Sequence, residues 1–373
     1  MAKLNRSAAA KALSVPPTDQ AREKGHPLVL VGKIIIAGVL VLWMVRSGKL
    51  DVRDVARAIR HWPEMLVAAA LCYVSYVLMA LRWRILLAQQ GIRASMRDVF
   101  ALSMIGALFN TIIPGAVSGD VMKAYYVSAR YRDKKARAVT TILLDRFVGL
   151  TCLLILSAFA GAWTFSTMAL RGRVAVLYWM VVIAAITAVV LPLLIILMSG
   201  RIVSLAEGLA RRFPRLMPVA LGVGAMAEFY DDRSVVAVVF LISFVGQFLI
   251  YLMLYVVGLS IGIQSIPVAQ LLFLIPLGLT AMALPIAPAG LGVGQVVFYA
   301  LFADLLPGKG PVGASIITIY QLVYVFVSLT GIIFYLSETS YAKQSGSQLN
   351  DAMPQPEVSV VSTAEPYTST PSR

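Results

Sequence analysis

Runs of apolar residues close to the ~20 that a helix needs to cross a bilayer recur along this chain, and no other feature narrows its fold as much. They occupy 28–45, 65–81, 138–163, 174–198, 234–258 and 312–336. Backbone polar groups in hydrocarbon must bond within their own segment, so such runs are read as helices. With two further, broken runs described below, the expected fold is an all-α polytopic membrane protein of about seven to eight membrane segments. The composition agrees, with 59% hydrophobic and 13% charged residues among 373 and a mean hydropathy of +0.83.

The net charge of +14 would in a soluble chain suggest nucleic acid. Here the basic residues sit in short loops between apolar runs, the pattern of the positive-inside rule, and no nucleic-acid partner is expected. Cys72 and Cys152 each lie within an apolar run, and His26 and His61 lie outside the runs. Neither a disulfide framework nor a metal site is expected, and no cofactor.

Two elements break the pattern. Residues 98–113 are apolar but end in Pro114-Gly115, with Gly119 shortly after, and residues 266–302 are interrupted by P-I-A-P-A-G-L-G-V-G-Q at 285–295. Irregular backbone is tolerated at membrane depth only where protein or water satisfies it, so both read as re-entrant or discontinuous helices. The breaks resemble each other: P-G-A-V-S-G-D-V aligns with P-A-G-L-G-V-G-Q-V if one residue is inserted. Paired breaks in opposite halves point to an inverted repeat with a site near the midplane. The other reading is that Pro and Gly here only let helices pack closely.

Residues 1–27 are basic and contain Ala, Ser and Pro without a signal-peptide core, which suggests a disordered cytosolic arm. The membrane domain then runs over 28–336, and 337–373 form a polar Ser-, Thr- and Pro-rich tail expected to be disordered. Residues 49–62 place apolar side chains at helical spacing among charges, as an interfacial helix would, or form a solvated loop. R-W-R at 82–84 reads as a membrane boundary, and 199–233 as a polar connection with Pro214 and Pro218. With both termini cytosolic, residues 1–27, 82–97, 121–137 and 199–233 together with Lys343 carry 21 Lys and Arg, against 8 in 46–62, 164–173 and at Lys309, so a multi-pass protein of the cytoplasmic membrane with N and C inside is expected.

The first break carries the chemistry. Asp120, Lys123, Asp145 and Arg146 lie inside or against apolar sequence, where ionisable groups are costly and usually mark a pathway or binding site. Gly-containing turns that open helices offer N–H groups and a positive helix end to an anion. Arg adds a bidentate fork for phosphate. The candidate substrate-binding residues are therefore Asn110, Pro114, Gly115, Gly119, Asp120, Lys123, Asp145 and Arg146 at the first break, and Pro288, Gly290, Gly292, Gly294 and Gln295 at the second. Adjacent helical residues point apart, so Asp145 and Arg146 are expected to pair across to Lys123 and Asp120 rather than with each other. The bland alternative is that the four charges only staple the hairpin to the next span.

Four stretches in register, L-R-W-R-I-L-L (81–87), P-G-A-V-S-G-D-V-M-K (114–123), L-L-D-R-F-V-G-L (143–150) and P-I-A-P-A-G-L-G-V-G-Q (285–295), resemble the lysylphosphatidylglycerol synthetase transmembrane-region family of flippase-like membrane proteins over roughly 30–336. The family's usual P-G-x-x-G-G-D-x-x-R has Ser118 and Lys123 here, and its usual Glu after G-L-G-V-x is Gln295, which removes a charge. The resemblance implies movement or handling of lipids, lysylated phosphatidylglycerol among them, and in some members a link to polyisoprenoid-linked sugar or hopanoid pathways. With 37 residues from 337 onward, no aminoacyl-transferase domain is expected, and so no synthesis of the lysylated lipid by this chain alone. The expected function is a translocase for an anionic lipid or lipid-linked substrate, not an enzyme, whose partners are membrane lipids and a separate lipid-modifying enzyme. The alternatives are a membrane enzyme or subunit of glycolipid assembly with Asp120 or Asp145 as base, and a non-transporting scaffold.

Overall fold

The computed structural model describes residues 51–112, 118–167, 172–197, 217–263, 266–282 and 292–337, with a few isolated positions at 42–46 and 204–213. Residues 1–27, most of the first apolar run, Pro114, Gly115, Pro288, Gly290 and the tail beyond 337 lie outside them. Contacts divide the chain into Met1–Phe334, which contains every element below, and Tyr335–Arg373, of which only the helical residues 335–337 are described. Among the described residues there is no strand, and the protein is an all-α polytopic membrane protein.

Helix α1 (Val52–Arg60) starts where the Asp51 carboxylate accepts the Arg53 N–H at 2.8 Å, the usual way an orphan helix donor is satisfied. Val55 and Ala58, three apart, turn into the core, which settles 49–62 as containing a helix. Pro63 opens α2 (Trp62–Gln89), about 42 Å long and so well past the predicted 65–81. Just past its C-cap Gln90 stands Gly91, whose φ of 70° is reached without strain by glycine.

Helices α3 (Met96–Ile112) and α4 (Ser118–Arg130) form an antiparallel hairpin of about 25 and 20 Å. Asp98 at the start of α3 pairs with Arg130 at the end of α4 at 3.0 Å. Near the turn, Asn110 Oδ1 accepts the Gly119 N–H at 2.7 Å. A Cβ on Gly119 would run into the Gly106 carbonyl and the Asn110 side chain, so the two helices touch backbone to backbone there.

A 3-10 turn (Arg132–Lys134) leads into α5 (Lys135–Thr167), about 50 Å long. Lys134 Nζ donates to the Gly91 carbonyl at 2.6 Å and ties this turn to the α2–α3 connection. Helix α6 (Gly172–Leu197) lies against α5, the Tyr178 ring filling the space left by Gly161. Its other face, with Trp179, Met180, Ile183, Ile186 and Leu194, is exposed and apolar, as a lipid-facing surface must be.

The predicted polar connection at 199–233 contains a helix, α7 (Met217–Asp231). Ala225 and Phe229 pack it on Leu144, Val148 and Cys152 of α5. Asp232 caps α8 (Arg233–Ser260), accepting the Ser234 and Val235 N–H groups, and α8 packs along α2. Two short apolar helices, α9 (Val268–Met282) and α10 (Val293–Leu305), precede α11 (Gly310–Leu329). Gly278 receives the Phe298 ring and Gly313 the Phe302 ring, the close packing that small residues permit in membranes. The order of two short helices across a break and then a longer one thus occurs twice, as α3–α4–α5 and α9–α10–α11.

By length and composition, α2, α5, α6, α8 and α11 can each cross a bilayer. Their buried faces meet those of α3, α9 and α10 in one core that includes Tyr76, Met104, Leu154, Met253, Phe273, Phe298 and Ile316.

Candidate functional site

A cavity of about 460 Å³ lies between α2, α3, α4, α5, α8 and α11. Most of its wall is apolar or aromatic, yet Arg82, Asp120, Lys123, Asp145 and Arg146 all line it. They arrive from three helices, and four of them are held there by two ion pairs.

Position 145 sits on the side of α5 that meets α2. Its carboxylate accepts from Arg82 Nε at 2.7 Å, with the two side chains only 10% and 5% exposed. Arg82 Nη1 also donates to Ser243 Oγ of α8 at 2.9 Å. Gly149, one turn beyond Asp145, leaves the room: a Cβ there would stand 3.2 Å from Arg82 Nη1. Position 146, about 100° further round the helix, points to α4 instead. Arg146 Nε pairs with Asp120 in the first turn of α4, where a carboxylate also complements the helix dipole. This pair is far less enclosed, Arg146 being 45% and Asp120 14% exposed.

With both carboxylates taken by arginines, Lys123 is the cation of the group without a carboxylate of its own among the described residues. Its Nζ stands 5.2 Å from the centroid of the Trp83 ring, a cation–π contact. Its stem passes over Gly106, where a Cβ would lie 2.8 Å from Lys123 Cε. In the same cavity Tyr76, Tyr320 and Tyr324 form an aromatic wall, with Tyr324 at 6.1 Å from Tyr76 and 6.5 Å from Tyr320 between ring centroids.

Five of the predicted site residues, Asn110, Asp120, Lys123, Asp145 and Arg146, therefore share one cavity. Gly119 stands behind it as the contact between α3 and α4. The expected cross-pairing holds for Arg146 with Asp120; Asp145 pairs with Arg82 rather than Lys123. Of the second break, the described residues Gly292, Gly294 and Gln295 do not line this cavity, and Pro288 and Gly290 lie outside the described residues. Gly292, at φ 79°, caps α10, and its N–H donates to Gln295 Oε1 at 2.7 Å. Gln295, 1% exposed, donates on to Gln321 Oε1 of α11 at 2.7 Å, and Gly294 is covered by Met282 and Gln321.

Sequence reasoning missed Arg82 and the three tyrosines. R-W-R looked like a membrane boundary, but Trp83 is 1% exposed and its Nε1 donates to Thr141 Oγ1 of α5 at 2.9 Å. The signal present was the apolar continuation Ile85-Leu86-Leu87, which shows that the helix does not leave the core at Arg84. The tyrosines on α2 and α11 carry no comparable local signal, because aromatic residues at helical spacing are ordinary core.

The sequence profile of the family described as lysylphosphatidylglycerol synthase TM region matches residues 30–331. The chain belongs to this family. Its similarity extends to archaeal proteins designated UPF0104 membrane proteins. One from Pyrococcus horikoshii is 23% identical over 309 residues, covering 75% of this chain and 87% of that protein. Relatives from Methanothermobacter thermautotrophicus and Methanocaldococcus jannaschii are 25% and 24% identical over 126 and 128 residues, about a third of this chain and 36% and 38% of theirs. No solved structure matches the chain. The matched residues include the whole cavity, from Cys72 to Tyr324.

Proposed function

We propose that this member of the lysylphosphatidylglycerol synthase TM region family translocates an anionic lipid or lipid-linked substrate across the cytoplasmic membrane, with both termini cytosolic. The observation that carries this is the cavity itself, in which three cations and two carboxylates face a chamber otherwise walled by apolar and aromatic side chains. Charge at such depth is costly unless paired, and is usually retained where something polar must pass or dock. A headgroup phosphate has its partners ready: Lys123 without a carboxylate of its own, and Arg146, whose half-exposed guanidinium can exchange Asp120 for phosphate oxygens.

Translocation is favoured over a chemical step on the lipid. A general base needs a carboxylate free to take a proton; Asp145 is held by the buried Arg82, and Asp120 rests on Arg146 until a phosphate takes its place. A separate lipid-modifying enzyme would then supply or consume the substrate. The test is transport of labelled lipids in proteoliposomes with wild type, Arg146→Gln, Arg146→Lys and the double variant Asp120→Asn/Arg146→Gln. The double variant should insert and fold normally yet remain inactive, and Arg146→Lys should be impaired because an ammonium does not reproduce the fork. Near-normal transport by the double variant would remove the headgroup role of Arg146 and leave the pair as a staple.

A further inference from the structure

We propose that the substrate is a phospholipid with a small headgroup bearing a single negative charge, a phosphodiester of a neutral alcohol, which reaches the cavity from the side between α4 and α5 with its acyl chains left outside. This rests on the translocase reading and narrows it.

Charge balance comes first. Among the described residues, Arg82, Lys123 and Arg146 against Asp120 and Asp145 leave the cavity lining with one positive charge. A monoanion cancels it. A zwitterionic headgroup leaves it uncompensated, a cationic aminoacylated headgroup adds a second charge, and a dianion overshoots. In a chamber walled mostly by apolar groups an uncompensated charge is strongly disfavoured, so the lining selects among lipids by net charge.

Size and access set the rest. The cavity, about 460 Å³, lies in the lower part of the ~300–1,000 Å³ that hold one small ligand, room for a headgroup but not for the headgroup with its chains. The chains must therefore remain outside, and the surface by the ion pair suits them. On α5, Leu143, Arg146 and Leu150 fall on one stripe at i, i+3 and i+7, and all three are exposed. On α4, Val121 and Tyr125 are exposed as well, while Asp120 and Lys123 line the cavity. The Asp120–Arg146 pair, its arginine 45% exposed, thus stands between an apolar exterior and the less exposed Lys123. An amphiphile meets Arg146 first and neutralises Lys123 last. A free phosphoester, having no chains, gains nothing from that apolar rim.

The experiment uses the full-length protein in proteoliposomes with tail-labelled phosphatidylglycerol, phosphatidylethanolamine and lysyl-phosphatidylglycerol, and binding of the same lipids in detergent by native mass spectrometry. Wild type should move and bind phosphatidylglycerol at least about tenfold better than the other two. Lys123→Gln should narrow the ratio to about twofold or less. Lys123→Glu, where it folds, should invert the preference toward the lysylated lipid; monodisperse elution reports folding. Soluble glycerol phosphate should not compete. Equal transport of all three lipids by wild type overturns this inference and leaves translocation standing. Binding selectivity for phosphatidylglycerol without any transport supports the headgroup class and overturns translocation. Neither binding selectivity nor transport overturns both. Effective competition by glycerol phosphate shows that the site takes a free phosphoester and overturns the lipid assignment.

Discussion

Replacing Asp145 by Asn leaves the side-chain volume nearly unchanged and strands Arg82. The Arg82 side chain is 5% exposed, its Nε faces Asp145 at 2.7 Å, and its remaining side-chain partner is the neutral hydroxyl of Ser243 at 2.9 Å. With almost no solvent to screen it, the orphaned guanidinium should cost ~3–5 kcal/mol, the range for breaking one side of a buried pair. Asp120→Asn provides the internal control. It makes the same chemical change in the same protein, but its partner Arg146 is 45% exposed, and the expected cost is ~1 kcal/mol or less. Removing both charges of the buried pair, as in Arg82→Met/Asp145→Leu, loses the hydrogen bonds but leaves no orphan, and should recover most of the stability. The assay is the thermal midpoint of purified protein in one detergent, monitored by intrinsic fluorescence. Asp145→Asn should fall by on the order of 5 °C, Asp120→Asn by ~1–2 °C, and the double variant should lie near wild type. Equal shifts for the two Asp→Asn variants would refute the claim that burial, not pairing alone, decides the energetics here.

Gly119→Ala should destabilise by ~1–3 kcal/mol, because any Cβ meets the Gly106 carbonyl and Asn110, whereas Gly222→Ala in α7, with open space around it, should be neutral or slightly stabilising. Equal melting of the two variants would show that α3 and α4 do not touch at Gly119. Gln295→Ala should cost ~1–3 kcal/mol, since it removes the acceptor for the Gly292 N–H and the donor to Gln321. The same substitution should leave the preference among transported lipids unchanged, and a shift in that preference would place the second break in the substrate path.

The class of this protein follows from sequence alone, because a bilayer sets one length scale and the apolar runs match it. So does the main cluster: Asp120, Lys123, Asp145 and Arg146 stand out against apolar surroundings, and the ~100° turn between neighbours on a helix separates Asp145 from Arg146 without any tertiary information. What only the tertiary structure decides is which helix each of them meets. In a soluble protein a helix shows its buried face by its apolar stripe, but a membrane helix is apolar toward lipid and toward protein alike, so α2 and α5 carry no such mark. Asp145 finds Arg82 across 63 residues, Trp83 reaches Thr141 across 58, and Tyr320 and Tyr324 arrive from the far end of the domain. The R-W-R stretch reads as an interface by local rules, and becomes core because α5 brings a carboxylate and a hydroxyl to satisfy it. Likewise the two breaks look alike in sequence, yet Gly119 backs a charged cavity while Gln295 bonds the Gly292 N–H and Gln321, a difference set by what packs opposite each of these residues.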